Sequence, residues 1–344
     1  VRTRFREAVR LAALTHDIGH SPFSHCTEFA MPPRRDLNLV WMVSGYSDEG
    51  RASHEDYTVA ILAHPRVTKI IDTHFSVTSR HIAALISRDV EIEDDFFLEK
   101  GLDYRAILSQ IISSELDVDR LDYLVRDSYY TGARYGTVDV PWLLSNLHPV
   151  VHDGSVSLGL DSTALYAFDD FILSRHHMFL MVYFHHKSVV YEEMLKRHVL
   201  SDACEWKIPS DLDAYLMVDD TSLVNRLRNV VCPWAQRITE REPYRRVLER
   251  HGGPTDVDLS RQAKMLESEG IGVIYAGCTG ELSRYHAFGQ KREGANSIYV
   301  IPNKVHGGGE VQEIAQQTKI FDRYAQARRI ARIYVDPNQE GAAR

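Results

Sequence analysis

The sequence predicts a mainly α-helical body followed by a small C-terminal α+β lobe, and three observations carry that prediction. Apolar residues recur at helical spacing from the first turns onward. The stretch from Ser162 to about Leu200 contains neither Pro nor Gly, and the β-rich runs gather beyond residue 270. With 344 residues and 44% hydrophobic side chains, the chain is long enough for a large core and about two domains.

Taken in order, Phe5, Val9, Ala12 and Ala13 predict an amphipathic helix over 3–16. The stretches Met31–Arg35 and 44–53 read as loops, whereas His54–Ala63, 78–88 and 103–114 return to helix. A longer helix is predicted from about Ser114 to Tyr130, ending near Gly132. Val150–Leu160 alternates about Asp153-Gly154, which signals a hairpin. Ser162–Leu200 predicts one or two long, largely buried helices. Ile271–Tyr275, Ser297–Ile301 and Ile330–Val335 are strand-like, with Gly-rich breaks at 251–253 and 307–309. These features divide the chain into a helical domain, 1–250, and a small lobe, 251–344. No internal repeat or low-complexity segment interrupts them.

The formal charge, 40 − 48 = −8, argues against broad binding to nucleic acid or anionic lipid. Arg241, Arg245, Arg246 and Arg250 make a basic stretch, expected on a helix, but Glu240, Glu242 and Glu249 interleave with it and predict a solvated, salt-bridged face. Nucleic-acid binding thus has no positive support. The four cysteines lie far apart without a CxxC pair, as reduced thiols of a cytoplasmic protein would. No apolar run approaches the roughly 18–20 residues that span a bilayer. Val1–Arg10 holds four arginines and lacks a signal peptide's apolar stretch.

Chemistry concentrates in two places. Thr15-His16-Asp17-Ile18-Gly19-His20-Ser21-Pro22-Phe23-Ser24-His25 sets three histidines and an aspartate in ten positions at the end of the first helix. Neighbouring helical residues point about 100° apart. His16 and Asp17 can therefore share a cation only where the backbone turns, and Gly19 and Pro22 supply the turn. About ninety residues later, Glu115-Leu116-Asp117-Val118-Asp119-Arg120-Leu121-Asp122-Tyr123-Leu124-Val125-Arg126-Asp127 mixes carboxylates with bulky apolar residues. Asp119, Tyr123 and Asp127 stand four apart and share a helix face. A solvated charged helix is the ordinary reading of such a run, but the apolar neighbours call for burial, and buried carboxylates need a cation, whether Arg or metal.

Together these runs, HDxGHxxxxH and ELDxDRxDYxxRDxYxTG, resemble the HD superfamily of phosphohydrolases. The resemblance is closest to the branch holding bacterial deoxynucleoside triphosphate triphosphohydrolases (dGTPases) and the human dNTP hydrolase with SAM and HD domains. His54-Glu55, Tyr183-Phe184-His185-His186-Lys187 and Val218-Asp219-Asp220 fit the same branch, as does Ile320-Phe321-Asp322-Arg323-Tyr324 more loosely. The resemblance implies that His16, Asp17 and Asp119 are ligands of a divalent metal: Mn, Mg, Fe, Zn or Ni. It implies a catalytic set of His54, as acid, oriented by Glu28, and His20, which with His25 faces the phosphates. Arg120, Tyr123, Asp127, Arg175, and Tyr183 or His186 would complete the substrate site. The implied reaction is attack of metal-activated water on the α-phosphorus of a deoxynucleoside triphosphate, releasing deoxynucleoside and triphosphate, by a cytoplasmic homo-oligomer (dimer or tetramer).

Relatives of this fold carry one more ligand His on a helix some 40 residues before the HD pair. Here fifteen residues precede His16, none of them His. The expectation is either a longer product with that ligand upstream or a weaker metal site. Two other readings stay open: an HD phosphomonoesterase or phosphodiesterase, and a catalytically weak nucleotide-binding regulator.

Overall fold

The computed structural model describes residues 2–201, 204–253, 257–280, 282, 286–287, 290–291, 297–302, 310–324 and 328–343. The predicted Gly-rich break at 307–309 lies outside the described residues. Among the described residues no helix is long and apolar enough to cross a membrane.

Helix α1 (Arg2–Thr15) buries Phe5, Ala8 and Ala12, while the predicted Val9 and Ala13 are partly buried against the same core. The next helices are α2 (His54–Ala63), α3 (Pro65–His74), α4 (Ser79–Ile86) and α5 (Arg105–Ile112). Ser53 with Asp56, and Thr78 with His81, close capping boxes that fix the starts of α2 and α4. One core layer joins α1, α2, α4 and α5 through Val59, Leu62, Ile82, Leu85, Leu108 and Ile112.

Helix α6 (Val118–Thr131) begins four residues later than the sequence predicts. The Asp117 carboxylate is the reason: it accepts from the Arg120 N–H at 2.8 Å and the Ser114 N–H at 3.0 Å, so it caps the helix instead of entering it. The helix ends as expected at Gly132, whose φ of 70° suits glycine.

After α7 (Val140–Ser145), the predicted hairpin forms as β3 (Leu147–His152) and β4 (Ser155–Asp161), turning at Asp153-Gly154. The long Pro-free stretch is α8 (Leu165–Met178), a π turn (Phe179–Tyr183) and α9 (His186–Val199). A π turn holds an extra residue, which rotates the residues after it relative to a regular helix. Three shorter helices, α10 (Leu212–Tyr215), α11 (Asp220–Asn229) and α12 (Pro233–Thr239), pack on the far side of α2 with Tyr57 and Ile61.

Two sheets complete the molecule. Short strands β1 (Leu98–Glu99) and β2 (Leu102–Asp103) extend the hairpin sheet, and β9 (Tyr299–Ile301) and β10 (Gln312–Glu313) close its other side. The pairing of β4 with β9 is parallel, Leu160 opposite Val300, so a tail segment sits in the body's sheet. The other sheet orders β5 (Arg245–Gly252), β11 (Arg328–Val335) and β6 (Val273–Gly280), all antiparallel, with α13 (Ser260–Ser268) against it. Between the sheets in sequence lies a short hairpin, β7 (His286–Ala287) with β8 (Gln290–Lys291).

One expectation is corrected here. The basic stretch 241–250 is mostly strand, because Glu249 meets Arg246 within β5 and Arg332 on β11 and the backbone completes its ladder there. Strand β5 runs through residue 250, and β9 joins the body's sheet.

Candidate metal and phosphate site

The turn after α1 is fastened to α2. The Gly19 N–H donates to Thr58 Oγ1 at 3.0 Å, the Thr58 hydroxyl donates to the His16 carbonyl at 2.9 Å, and the Tyr215 hydroxyl donates to the Gly19 carbonyl at 2.7 Å. Glycine is required at 19 because a Cβ there would lie 2.1 Å from the His54 carbonyl oxygen and 2.3 Å from Thr58 N. That close approach brings the first histidine run against the start of α2, where His54 sits. Further along, Phe23 and Ser24 adopt left-handed backbone (φ 61° and 51°), a conformation that costs non-glycine residues about 1–3 kcal/mol. The Phe23 N–H donates to the Asp220 carboxylate at 2.8 Å, which helps hold the turn and presents His25.

His16, Asp17 and Asp119 converge. His16 Nε2 lies 3.4 Å from Asp17 Oδ1 and 3.8 Å from Asp119 Oδ1, and one ligand atom from each residue falls within 4.8 Å of the others. His16 Nδ1 donates to the Ala13 carbonyl at 3.0 Å, and Nε2 is buried with no hydrogen-bond partner. The orphaned nitrogen faces two carboxylates at spacings too long for hydrogen bonds. They suit a cation bound at about 2.0–2.2 Å from each ligand. The residues therefore fit a divalent metal. Asp119 foremost, with Asp17, raises His16 to about 9 against the opposing effect of burial, so a proton and a metal compete for the same lone pair.

Beside this trio stands a second cluster of His20, His25, Glu28 and His54. Glu28 Oε1 meets His54 Nδ1 at 2.5 Å and His25 Nδ1 at 3.0 Å. The bonds from His25 and then His54 drive the Glu28 carboxyl far below its ordinary range. Burial lowers the His54 pKa, but the Glu28 hydrogen bond and charge outweigh it and leave it raised. His20 stacks on His54, ring centroids 4.0 Å apart, and falls to about 4 through burial and the neighbouring His54 charge. Its Nε2 lies 3.6 Å from Asp17 Oδ1, linking the two clusters.

On α6, Asp127 accepts from the Tyr183 hydroxyl at 2.8 Å, and Tyr123 meets the Tyr183 ring edge-on. Burial, then Asp127, raises the Tyr183 phenol, so it stays a donor. Of the alternatives Tyr183 and His186, the structure brings Tyr183 to Asp127. His186 stands at the start of α9 near the Arg246 and Arg332 charges, its carbonyl accepting from Tyr334 at 3.0 Å, because the chain breaks after the π turn. Arg175 lies near Tyr123, on whose phenol its charge acts. It is buried in an ion pair with Glu115 at 2.8 Å and donates to the Leu282 carbonyl, which commits it to holding α8 against the segment before α6. Arg120 pairs with Asp117 at 3.5 Å and donates to the Ser114 carbonyl, so its guanidinium ties down the start of α6.

Thr58, Tyr215 and Asp220 are positioning residues that the sequence alone does not single out. Thr58 stands one turn after His54, and Asp220 belongs to the noted Val218-Asp219-Asp220 run, but neither carries an isolated signal.

Comparison with known proteins agrees with this geometry. The family model described as HD associated region matches residues 138–268. An uncharacterized protein of Methanocaldococcus jannaschii is 28% identical over 242 residues, 70% of this chain and 44% of that one. The deoxynucleoside triphosphate triphosphohydrolase SAMHD1 homolog of Dictyostelium discoideum is 30% identical over 135 residues, 38% of this chain and 22% of that one. The chain thus spans less than half the length of these curated relatives. A solved phosphohydrolase structure from Bacteroides thetaiotaomicron superposes with a TM-score of 0.62 at 21% identity, covering 96% of this chain and 80% of that one. The chain is thus similar to proteins of the HD type, through the HD associated region at residues 138–268 and through these relatives.

Proposed function

We propose that the chain hydrolyses deoxynucleoside triphosphates to deoxynucleoside and triphosphate. The observation that carries this reading is the buried, orphaned His16 Nε2 facing Asp17 and Asp119, with the His20–His25–Glu28–His54 cluster alongside. The name of the Dictyostelium relative supports the same substrate class.

His16, Asp17 and Asp119 would hold the divalent cation, Mn, Mg, Fe, Zn or Ni. When bound, such an ion offsets phosphate charge and acidifies a water molecule. His25 and neutral His20 contact the phosphate oxygens. Glu28 holds His54 at Nδ1, which leaves Nε2 to pass a proton to the departing 5′-oxygen. Asp127, already accepting from Tyr183, has oxygen lone pairs left for a sugar hydroxyl. That sugar-reading pair favours a nucleotide over a generic phosphate ester. A second copy of the chain is the proposed partner, and Tyr129, Tyr130 and Tyr166, each at least 80% exposed, are available to meet it.

Incubation with dGTP and Mn²⁺, followed by separation of the phosphate products, tests the proposal. Inorganic triphosphate is expected. Orthophosphate or pyrophosphate alone would assign a phosphomonoesterase or phosphodiesterase instead, and retained nucleotide with no product would assign a binding protein.

A further inference from the structure

One end of the three-stranded sheet borders an open cleft of about 300 Å³. Its walls include His176, His177 and Leu180 from the end of α8 and the π turn, His251 on β5, Arg328 on β11, and Tyr324. The register places His251 opposite Ile330. Strand alternation then puts His251 and Arg328 on one face of the sheet, the face on which Arg332 meets Glu249.

Among the described residues the lining holds three imidazoles and guanidinium groups but no Asp or Glu, in a chain whose formal charge is −8. Arg328 is exposed and has no carboxylate partner among the described residues. Glu249 stands behind His251, 3.0 Å from its Nε2. The imidazoles do not converge on a metal. The His176 and His177 ring centroids are 6.2 Å apart, and the metal-sized groupings among the described residues lie at the HD clusters.

We infer that this cleft binds a compact phosphate-bearing anion, with Arg328 as its charged contact and His251 beside it. Guanidinium forms charge-assisted, often bidentate bonds to phosphate oxygens. The volume sits at the lower end of the roughly 300–1,000 Å³ usual for small-molecule sites, which suits an oligophosphate or the phosphate tail of a nucleotide better than a large apolar body. No residue of the cleft belongs to the HD clusters, so occupancy does not depend on the metal trio.

Isothermal titration of the full chain with sodium pyrophosphate tests this, run beside Arg328→Gln, His251→Gln and Asp119→Asn. Binding that survives Asp119→Asn and weakens about tenfold or more in Arg328→Gln and His251→Gln is expected. Replacing pyrophosphate by adenosine diphosphate separates the sources. Equal affinity assigns the cleft to a nucleotide's phosphate tail, and binding of pyrophosphate alone assigns it to a free oligophosphate. Binding lost in Asp119→Asn, unchanged in Arg328→Gln, or absent from the parent chain would overturn the inference. The exposed position of Arg328 keeps folding out of the result.

Discussion

Glu28 does two jobs with one oxygen: it fixes the His54 tautomer and keeps the ring protonated to higher pH. His54 would act as an acid, so the rate should fall as pH rises through its raised pKa. In Glu28→Gln that support is lost while burial remains, and the alkaline limb of the kcat profile should move to lower pH, with kcat at neutral pH reduced about 10- to 100-fold. An unmoved limb would assign the titration to another group. Arg175, near Tyr123, is also buried in an ion pair with Glu115, a contact that bears on stability. Breaking a buried ion pair removes the cation that offsets the Glu115 charge, so Arg175→Ala should cost about 3–5 kcal/mol in urea unfolding. A change in KM with parent stability would assign it to the substrate instead.

At the scale of elements, the site exists because one turn lies against one helix start. Gly19→Ala would drive a methyl into the backbone of His54 and Thr58, where neither can yield like a flexible side chain. The expected loss is about 3 kcal/mol or more, with metal affinity falling alongside because His16 and Asp17 ride on the same turn. Equilibrium unfolding and a metal titration on the variant check both. Much of this was legible in the sequence. Gly19 and Pro22 announced the turn, and the four-residue spacing of Asp119, Tyr123 and Asp127 announced a shared face. The start of α6 was not legible, because Asp117 reads equally well as a helical residue until its carboxylate is seen capping Ser114 and Arg120. The π turn was hidden too. Its apolar residues fit an α-helical pattern, and only packing selects the extra residue that carries Tyr183 to Asp127 and leaves His186 with the sheet.

For the whole molecule, the sequence showed the β-rich tail but not how it attaches. Residues 299–301 look like any short strand, and the parallel partner, β4, lies some 140 positions earlier. The 245–252 stretch misled because alternating charge of this kind suits a solvated helix as well as a strand whose Glu249 gathers Arg246, His251 and Arg332. Burial opposes the Glu249 charge, but bonds led by Arg332 outweigh it and hold the carboxyl at about 2, below its ordinary 4.5. A depressed folded pKa stabilises above the unfolded value and is lost as pH falls, here from about 4.5 to about 2. Glu249→Gln should therefore be less stable at neutral pH and lose less on acidification across that window, read as Tm against pH. A parallel pair of Tm curves would contradict it.

The proposed function depends most on a cation held between His16, Asp17 and Asp119. The most direct measurement is bound metal per chain after Mn²⁺ loading and desalting, for the parent chain and for Asp119→Ala, with circular dichroism on both. The expected result is stoichiometric metal in the parent and little in a folded Asp119→Ala, with hydrolysis lost in parallel. Equal metal in the two folded proteins would contradict the assignment of Asp119, and with it the site.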